Sequence, residues 1–491
     1  MLFNSWSFLV FFPIVTTLYF VAPSGIRWLL LLVASCAFYM SFIPIYILVL
    51  AATIVVDYYA AIRIEEAPAG QRRLWLIGSI LVTCLILFFF KYYDFVAWNV
   101  TEASRLLHSN ITMAALHLIL PIGLSFHTFQ SLSYVIEVYN GNQKAERHFG
   151  IYALYVMFYP QLVAGPIERP QNLLHQFREN HRFNYEQVVS GLRLMAWGLF
   201  KKAVIADRLA QFVTPVYDKP GNFDGGVLIV ATVFFSFQVF CDFSGYTDMA
   251  RGAARVMGFE LMINFDRPYA ATSVSDFWRR WHISLSTWLR DYIFEPVALG
   301  LRERGTIGIV AALMLTFFIS GLWHGANWTF VTWGLLHGFA LSFEAVFAKP
   351  RRKLAKVMPA PLFHVVMLTL TFSFVSFTYI FFRARSMADA ILILKGIFNW
   401  LFPLDRWLTV LLPQSIASVQ LGVVPQTEFW LSCALIGFLI LVHSVQARWN
   451  ISTWFDRSPW WIRWPVYQAA VLCIAFKGVW LESKSFIYFQ F

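Results

Sequence analysis

Charged residues are scarce in this sequence, and their scarcity excludes a water-soluble globular protein. Asp, Glu, Lys and Arg make up 13% of the 491 residues, whereas hydrophobic residues make up 59%. Soluble domains usually carry about 25% charged residues, so a soluble fold would lack the polar groups to cover its surface. The apolar residues fall in blocks of roughly the 20 residues that a helix needs to cross a bilayer. The sequence therefore predicts an integral membrane protein with many spans.

Several other features are missing. Residues 1–26 contain no Lys or Arg, so we expect no cleavable signal peptide there. Glycine-rich phosphate loops, HExxH and nucleophile elbows are absent, which leaves soluble hydrolase or NTPase chemistry unsupported. Cysteines with paired spacing are also lacking, so we expect neither a disulfide framework nor a zinc site. We also expect no other metal site and no bound cofactor. The five cysteines are Cys36, Cys84, Cys241, Cys433 and Cys473.

The net charge is +11, but the cations are scattered through short loops between apolar blocks. This distribution is typical of the positive-inside bias of membrane proteins and does not indicate a nucleic-acid partner. Three arginines lie in Arg63–Arg73 and five cations in Lys349–Lys356. We predict that both loops are cytoplasmic, which places the N-terminus outside.

The hydrophobic pattern predicts an all-α polytopic protein. Candidate spans from 5–21 to 461–479 give ten to thirteen membrane helices, some of them re-entrant or interfacial. With no internal repeat and no linker, residues 1–491 are interpreted as a single domain around a central cavity or tunnel. Its predicted parts are N-terminal spans (1–110), a core that carries the motifs (111–348) and C-terminal spans (349–491).

Polar residues inside apolar segments are costly and mark function by default. The first such segment is Asp276–Pro296, whose spacing predicts one amphipathic helix that lies in the interface or lines a wet cavity. His282 falls on its apolar face and is either a satisfied packing histidine or a functional one. The polar face includes Ser286 and two arginines, Arg279 and Arg280, which are candidate contacts to phosphate or lipid headgroups. The apolar face carries Trp278, Trp281, Leu285, Trp288, Leu289 and Tyr292.

The second segment, Thr306–Ala348, has no Lys, Arg or Asp and is long enough for two spans. Its middle, Gly321–Trp328, contains Trp323, His324 and Asn327. Glycines on both sides of His324 predict a break in the helix, where an imidazole could transfer protons near neutral pH. Alternatively, these glycines serve only close helix packing. His337, which is followed by Gly338, is a weaker instance of the same pattern and is interpreted as a packing residue.

The third segment, Cys241–Met249, follows the apolar run 227–240 and contains Asp242, Ser244, Tyr246 and Asp248. Its carboxylates and hydroxyls could line a polar pore or a proton path. Helix capping is the structural alternative for Asp242 and Ser244.

Together with their flanks, these segments resemble the membrane-bound O-acyltransferase (MBOAT) family, in the bacterial branch that includes the membrane subunit of alginate O-acetylation. The resemblance covers most of residues 120–340. The matching stretches are PIGLSFHTFQSLSYVIEVYNG (121–141), AGPIERP (164–170), CDFSGYTDMARG (241–252), NFDRPY (264–269), FWRRWHISLSTWLRDYIF (277–294) and GLWHGANWTFVTWGLLHG (321–338).

The resemblance implies transfer of an acyl group, most simply acetyl, to a hydroxyl, with acetyl-CoA or another acyl thioester reached from the cytoplasm. It implies that His324 occupies the signature histidine position and His282 the second polar position. The implied location is the bacterial inner membrane. The implied acceptor is an extracytoplasmic polysaccharide or a periplasmic acyltransferase partner, and alginate, cellulose, peptidoglycan and teichoic acid all stay open.

Two other function classes remain open from the residues alone. A proton-coupled transporter or channel would use Asp242, Asp248 and His324 as its path. A scaffold that anchors a polysaccharide synthase would need none of them.

Overall fold

The computed structural model describes residues 1–402, 423–480 and 486–487. Every regular element in these ranges is a helix, which confirms the predicted all-α class. The chain divides into two compact units that alternate along the sequence, and the predicted single domain with three consecutive parts stays a prediction. Unit 1 comprises Met1–Met195, Tyr246–Asn264 and His282–Pro296, and unit 2 comprises Ala196–Gly245, Phe265–Trp281 and Val297–Phe491.

Unit 1 is built from apolar helices that also bond to each other through polar side chains. Inside it, the buried carboxylate of Asp57 accepts hydrogen bonds from the hydroxyls of Ser79 (2.6 Å) and Thr83 (3.1 Å). Such bonds between helices satisfy polar groups that cannot reach water. The main helices of unit 1 are Trp6–Val21, Arg27–Met40, Ile47–Glu66, Ala69–Leu87, Tyr93–Leu106, Leu124–Asn140, Phe149–Met157 and Ile283–Leu289.

Unit 2 has a core rich in aromatic residues, which include Phe235, Trp333 and Tyr379. Its main helices are Asp207–Asp218, Val274–Arg280, Thr306–His324, Trp328–Val346, Ala348–Val357, Ala360–Arg383, Met387–Leu401, Gln426–Gln446, Ile451–Arg457 and Trp460–Lys477. Residues of both units occur in three further helices, which are Tyr185–Leu199, Gly225–Val256 and Glu295–Gly300. Wider π-helical turns occupy Phe88–Tyr92 and Arg290–Phe294 in unit 1 and Phe200–Ala206 in unit 2.

Six of the described helices are long and apolar enough to cross a membrane, which confirms the polytopic character. The number rises to seven if Trp328–Val346 and Ala348–Val357, bent by 68° at their junction, form one span. Trp6–Val21 and Ser24–Met40 are shorter apolar helices. The predicted count of ten to thirteen and the predicted orientation stay predictions. The six are Pro44–Glu66, Gly70–Leu106, Gly225–Val256, Thr306–His324, Ala360–Arg383 and Gln426–Gln446.

Candidate active site

The predicted break around His324 is confirmed. His324 is the last residue of the helix Thr306–His324, and the next helix, Trp328–Val346, begins four residues later. Asn327 caps the second helix, because its Oδ1 accepts from the backbone N–H of Thr329 at 3.0 Å. We call these two helices the glycine hairpin.

Glycines let the two helices of the hairpin approach very closely. A Cβ on Gly321 would lie 2.4 Å from the carbonyl oxygen of Phe330, and one on Gly334 would lie 2.2 Å from that of Phe317. The packing interpretation of Gly321 is therefore correct, and it holds together with the break. Close packing fixes the end of the first helix, where His324 lies.

The side chain of His324 is 5% exposed and sits among aromatic rings. Its ring centroid is 4.9 Å from those of Trp323 and Trp333 and 5.3 Å from that of Phe382, with steep angles between the planes. In this geometry the edge of one ring meets the face of another, which is the favourable arrangement for aromatic pairs. The imidazole is thus held in one place within unit 2.

His337 is fully buried and satisfied on both sides, which confirms its interpretation as a packing residue. Its Nδ1 accepts from the indole N–H of Trp278 at 3.2 Å, and its Nε2 lies 3.0 Å from the hydroxyl of Thr378. That hydroxyl donates to the carbonyl of Val375 at 2.7 Å. Since an indole only donates, Nε2 must carry the proton. This bond ties Trp278 to the glycine hairpin.

The predicted single helix over Asp276–Pro296 is wrong. One helix ends at Arg280 and another begins at Ile283, and His282 between them has φ +43°, in the left-handed region. The tryptophans of the expected apolar face are nevertheless buried: Trp278 is 6% and Trp281 3% exposed. Trp278 lies in the helix Val274–Arg280, and Trp281 is the residue directly after it.

His282 has no exposed surface, and burial lowers its pKa to about 3, so the ring is neutral at physiological pH. Its Nδ1 lies 3.2 Å from Oδ1 of Asn264. The same oxygen accepts from the backbone N–H of Ser284 (3.1 Å) and from its hydroxyl (2.9 Å). The ring of Phe126 packs nearly parallel to the imidazole, at 6.1 Å between centroids.

The polar residues that flank His282 in the sequence differ in their contacts. Arg280 forms an ion pair with Asp276 at 3.0 Å, whereas Arg279 is exposed and donates to the hydroxyl of Ser275 at 3.3 Å. Arg279 therefore remains the better candidate for a headgroup or phosphate contact. Half-buried Ser286 donates its backbone N–H to the carbonyl of His282 at 2.9 Å.

Asp242 and Ser244 are not helix caps, because they lie within the 32-residue helix Gly225–Val256. Asp242 forms an ion pair with Lys202 at 2.6 Å and accepts from the backbone N–H of Ile487 at 2.7 Å. Ser244 accepts from Lys201 at 2.9 Å. These partners explain how the helix carries polar residues in the interior of unit 2.

The other two residues of the third segment belong to unit 1. Tyr246 is 4% exposed, and its ring lies 4.7 Å from that of Phe3. Asp248 lies 3.7 Å from Arg251. The predicted site residues are thus divided: His282, Ser286, Tyr246 and Asp248 lie in unit 1, and His324, Trp323, Asn327, Trp278, Arg279, Arg280, Trp281, Asp242 and Ser244 lie in unit 2. Their roles in catalysis or in lining a tunnel stay predictions.

Glu168, in the AGPIERP stretch, has no exposed surface and supports the segment that carries Asn264. Its Oε1 accepts from the backbone N–H of Met262 at 2.6 Å. Burial raises its pKa from 4.5 to about 7. The folded state holds this proton more tightly than the unfolded chain does. The protonated carboxyl of Glu168 therefore makes its full contribution to the free energy of unfolding below about pH 4.5. That stability is lost as the pH rises through about 7.

A Glu168→Gln variant retains the acceptor but has no proton to lose. We expect its thermal midpoint in detergent to match that of the unaltered protein at pH 5 and to be higher at pH 8. The corresponding gain in the free energy of unfolding at pH 8 is up to about 3 kcal/mol. The exposed Glu303 provides the control, because Glu303→Gln should show no such trend. A difference that does not change with pH would contradict this account.

Among the described residues, no group of three or more His, Cys, Asp or Glu side chains could hold a metal ion. The five cysteines are free thiols.

Sequence reasoning missed the neighbours that position the two histidines. Asn264 belongs to the NFDRPY stretch, but no local pattern shows that its side chain meets a residue 18 positions later. Trp333 and Phe382 are ordinary apolar residues in the sequence, and only the packing of the glycine hairpin brings them to His324.

Comparison with known proteins shows to which family the chain belongs. Residues 148–359, which include both histidines, match the MBOAT, membrane-bound O-acyltransferase family. The chain is 37% identical to the peptidoglycan O-acetyltransferase of Helicobacter pylori, over 81% of this chain and 79% of the relative. It is 36% identical to the probable alginate O-acetylase AlgI of Pseudomonas aeruginosa, over 82% and 75%.

A more distant relative is named for a different activity. The teichoic acid D-alanyltransferase of Bacillus subtilis is 25% identical, over 63% of this chain and 77% of the relative. Two relatives above 30% identity, each matched over more than two thirds of both chains, show the family. The chain therefore belongs to the membrane-bound O-acyltransferase family, and it is an O-acyltransferase.

Proposed function

We propose that this protein transfers an acetyl group from a thioester donor to a hydroxyl of a polysaccharide outside the cytoplasmic membrane. The observation that carries the proposal is the enclosure of His324: an imidazole at the broken end of an apolar helix, held by Trp323, Trp333 and Phe382. A buried imidazole on a fixed backbone is suited to general base catalysis, which needs a positioned group more than a mobile one.

In the proposed reaction, His324 removes the proton from the acceptor hydroxyl as its oxygen attacks the thioester carbonyl. A C–O bond forms, the C–S bond breaks, and the proton passes to the departing thiolate to give a free thiol. General base catalysis of this kind contributes about 10²–10⁴-fold in rate. His282 is the second residue proposed for the reaction, and the exposed Arg279 is proposed to contact phosphate groups of the donor or of lipids.

Two considerations favour acetyl and a sugar hydroxyl. Two relatives at 36–37% identity are named as an O-acetyltransferase and a probable O-acetylase, whereas the D-alanyltransferase is 25% identical. Peptidoglycan and alginate share saccharide hydroxyls as acceptors.

The donor is proposed to arrive from the cytoplasm as acetyl-CoA or another acetyl thioester. The acyl group then passes to the polymer directly or through a periplasmic acyltransferase.

The transport alternative receives less support from the structure. It needs Asp242 as a proton carrier, but this carboxylate is held by Lys202 and by the backbone of Ile487. Lys202 is itself held by Asp207 at 2.8 Å. The contacts are those of a structural ion-pair cluster.

The direct test uses the purified full chain in liposomes with acetyl-labelled acetyl-CoA and, in separate reactions, peptidoglycan fragments or alginate oligosaccharides. We expect release of CoA that depends on the acceptor, with label in an alkali-labile ester. In cells, deletion of the protein should remove most O-acetyl groups from one surface polymer. Proton flux through the liposomes without consumption of the thioester would overturn the proposal in favour of transport.

A further inference from the structure

We propose that Asn264 is a positioning residue, which fixes the tautomer and the orientation of His282. The inference rests on the proposed function only where it gives His282 a part in the reaction. The orientation itself is argued from contacts within unit 1.

The amide oxygen of Asn264 can be identified without seeing its hydrogens. The side-chain atom that faces the backbone N–H of Ser284, at 3.1 Å, must be an acceptor and is therefore Oδ1. The hydroxyl of Ser284 also lies closer to this oxygen (2.9 Å) than to Nδ1 of His282 (3.4 Å), so its single proton is used on Asn264.

The identity of this oxygen decides which nitrogen of His282 carries the proton. Nδ1 lies 3.2 Å from Oδ1, and two acceptors at that distance would repel, so Nδ1 must donate. A neutral imidazole has one N–H, and the ring proton is therefore on Nδ1. Nε2 is left with its lone pair, so His282 acts through Nε2 as an acceptor and not as a donor.

Asn264 holds the backbone of the histidine as well as its ring. The carbonyl oxygen of Asn264 accepts from the backbone N–H of Ile283 at 2.9 Å. His282 between these contacts adopts φ +43°, a conformation that residues other than glycine rarely take. Such a backbone conformation persists only where its surroundings determine it. Asn264 supplies such surroundings, because it contacts the ring of His282 and the backbone N–H groups of Ile283 and Ser284.

The segment before Asn264 is itself anchored in unit 1. The backbone N–H of Met262 donates to Glu168 at 2.6 Å. The side-chain amide of Gln176 accepts from the backbone N–H of Glu260 at 2.9 Å and donates to its carbonyl at 3.0 Å. These bonds fix the backbone two and four residues before Asn264 and so give it a defined position, which a residue that orients a catalytic ring requires.

The tautomer can be measured directly in the unaltered protein. The full chain, labelled with ¹⁵N-histidine and reconstituted in lipid, is studied by solid-state NMR, and the His282 signals are assigned by their loss in His282→Gln. We expect a protonated Nδ1 and an unprotonated Nε2 between pH 6 and pH 8. Protonation at Nε2 would overturn the proposal, and this measurement needs no Asn264 variant that folds.

Activity and tautomer are then compared across variants. Asn264→Leu, of similar volume, should release the tautomer and lower kcat about 10–100-fold with little change in KM for the donor. Asn264→Asp keeps an acceptor and should retain the Nδ1 proton and more activity than the leucine variant. Ser284→Ala leaves the backbone donor in place and should leave the tautomer unchanged.

The two hypotheses fail in different ways. Full activity of a folded His282→Gln protein would remove His282 from the proposed reaction while leaving the assigned tautomer intact. An Asn264→Leu protein with the Nδ1 tautomer unchanged would overturn the positioning role even if His282 proves essential.

Discussion

A His324→Ala variant is expected to lose about 10²–10⁴-fold in kcat for acetyl transfer while remaining folded. The proposed base is removed, but Trp323, Trp333 and Phe382 still pack on the hairpin around the vacated position. The measurement is acceptor-dependent release of CoA from acetyl-CoA, together with elution volume and thermal midpoint in detergent.

The matched control is His364→Ala. His364 is exposed on the helix Ala360–Arg383, and its loss should change neither activity nor stability. His324→Gln should be as inactive as His324→Ala, because a glutamine amide occupies similar space but takes up no proton at neutral pH. A folded His324→Ala protein with full activity would refute the proposed base.

A Gly334→Ala substitution is expected to disrupt the glycine hairpin. Alanine usually stabilises a helix by about 1 kcal/mol relative to glycine, but here the new Cβ would lie 2.2 Å from the carbonyl oxygen of Phe317. A backbone atom cannot swing away as a side chain can, so the helices must separate, at a cost of about 1–3 kcal/mol. We expect a lower thermal midpoint, and a loss of activity larger than the loss of folded protein, because His324 ends the neighbouring helix.

Gly437→Ala is the control for this second substitution. A Cβ on Gly437, in the helix Gln426–Gln446, would meet nothing within 4 Å. That variant should be as stable as the unaltered protein or slightly more so. Equal midpoints for Gly334→Ala and Gly437→Ala would show that the hairpin tolerates wider spacing than its geometry indicates.

Part of the fold follows directly from the sequence, because some of its causes are local. The break at His324 was predictable, since Gly321 and Gly325 on either side weaken the helix. The apolar blocks indicated membrane helices in the same way. These signals lie within a few residues of the structure they determine, and so periodicity and composition reveal them.

The errors arose where distant residues decide the local structure. The segment 276–296 has an unbroken amphipathic period, yet the helix is interrupted at His282, where the ring and the following backbone form hydrogen bonds with Asn264. At Asp242 the helix-cap alternative is wrong, because Lys202, 40 positions earlier, pairs with the carboxylate and the helix continues through it. Neither partner can be identified from spacing alone.

The hydrogen bond from Ile487 to Asp242 also has a consequence for biogenesis. The two residues are 245 positions apart, and ribosomes add about 5–20 residues per second, so roughly 10–50 s pass between their synthesis. During that interval the carboxylate has Lys202 beside it but not the late backbone amide. The surroundings of this carboxylate are therefore completed only once Ile487 has been synthesised.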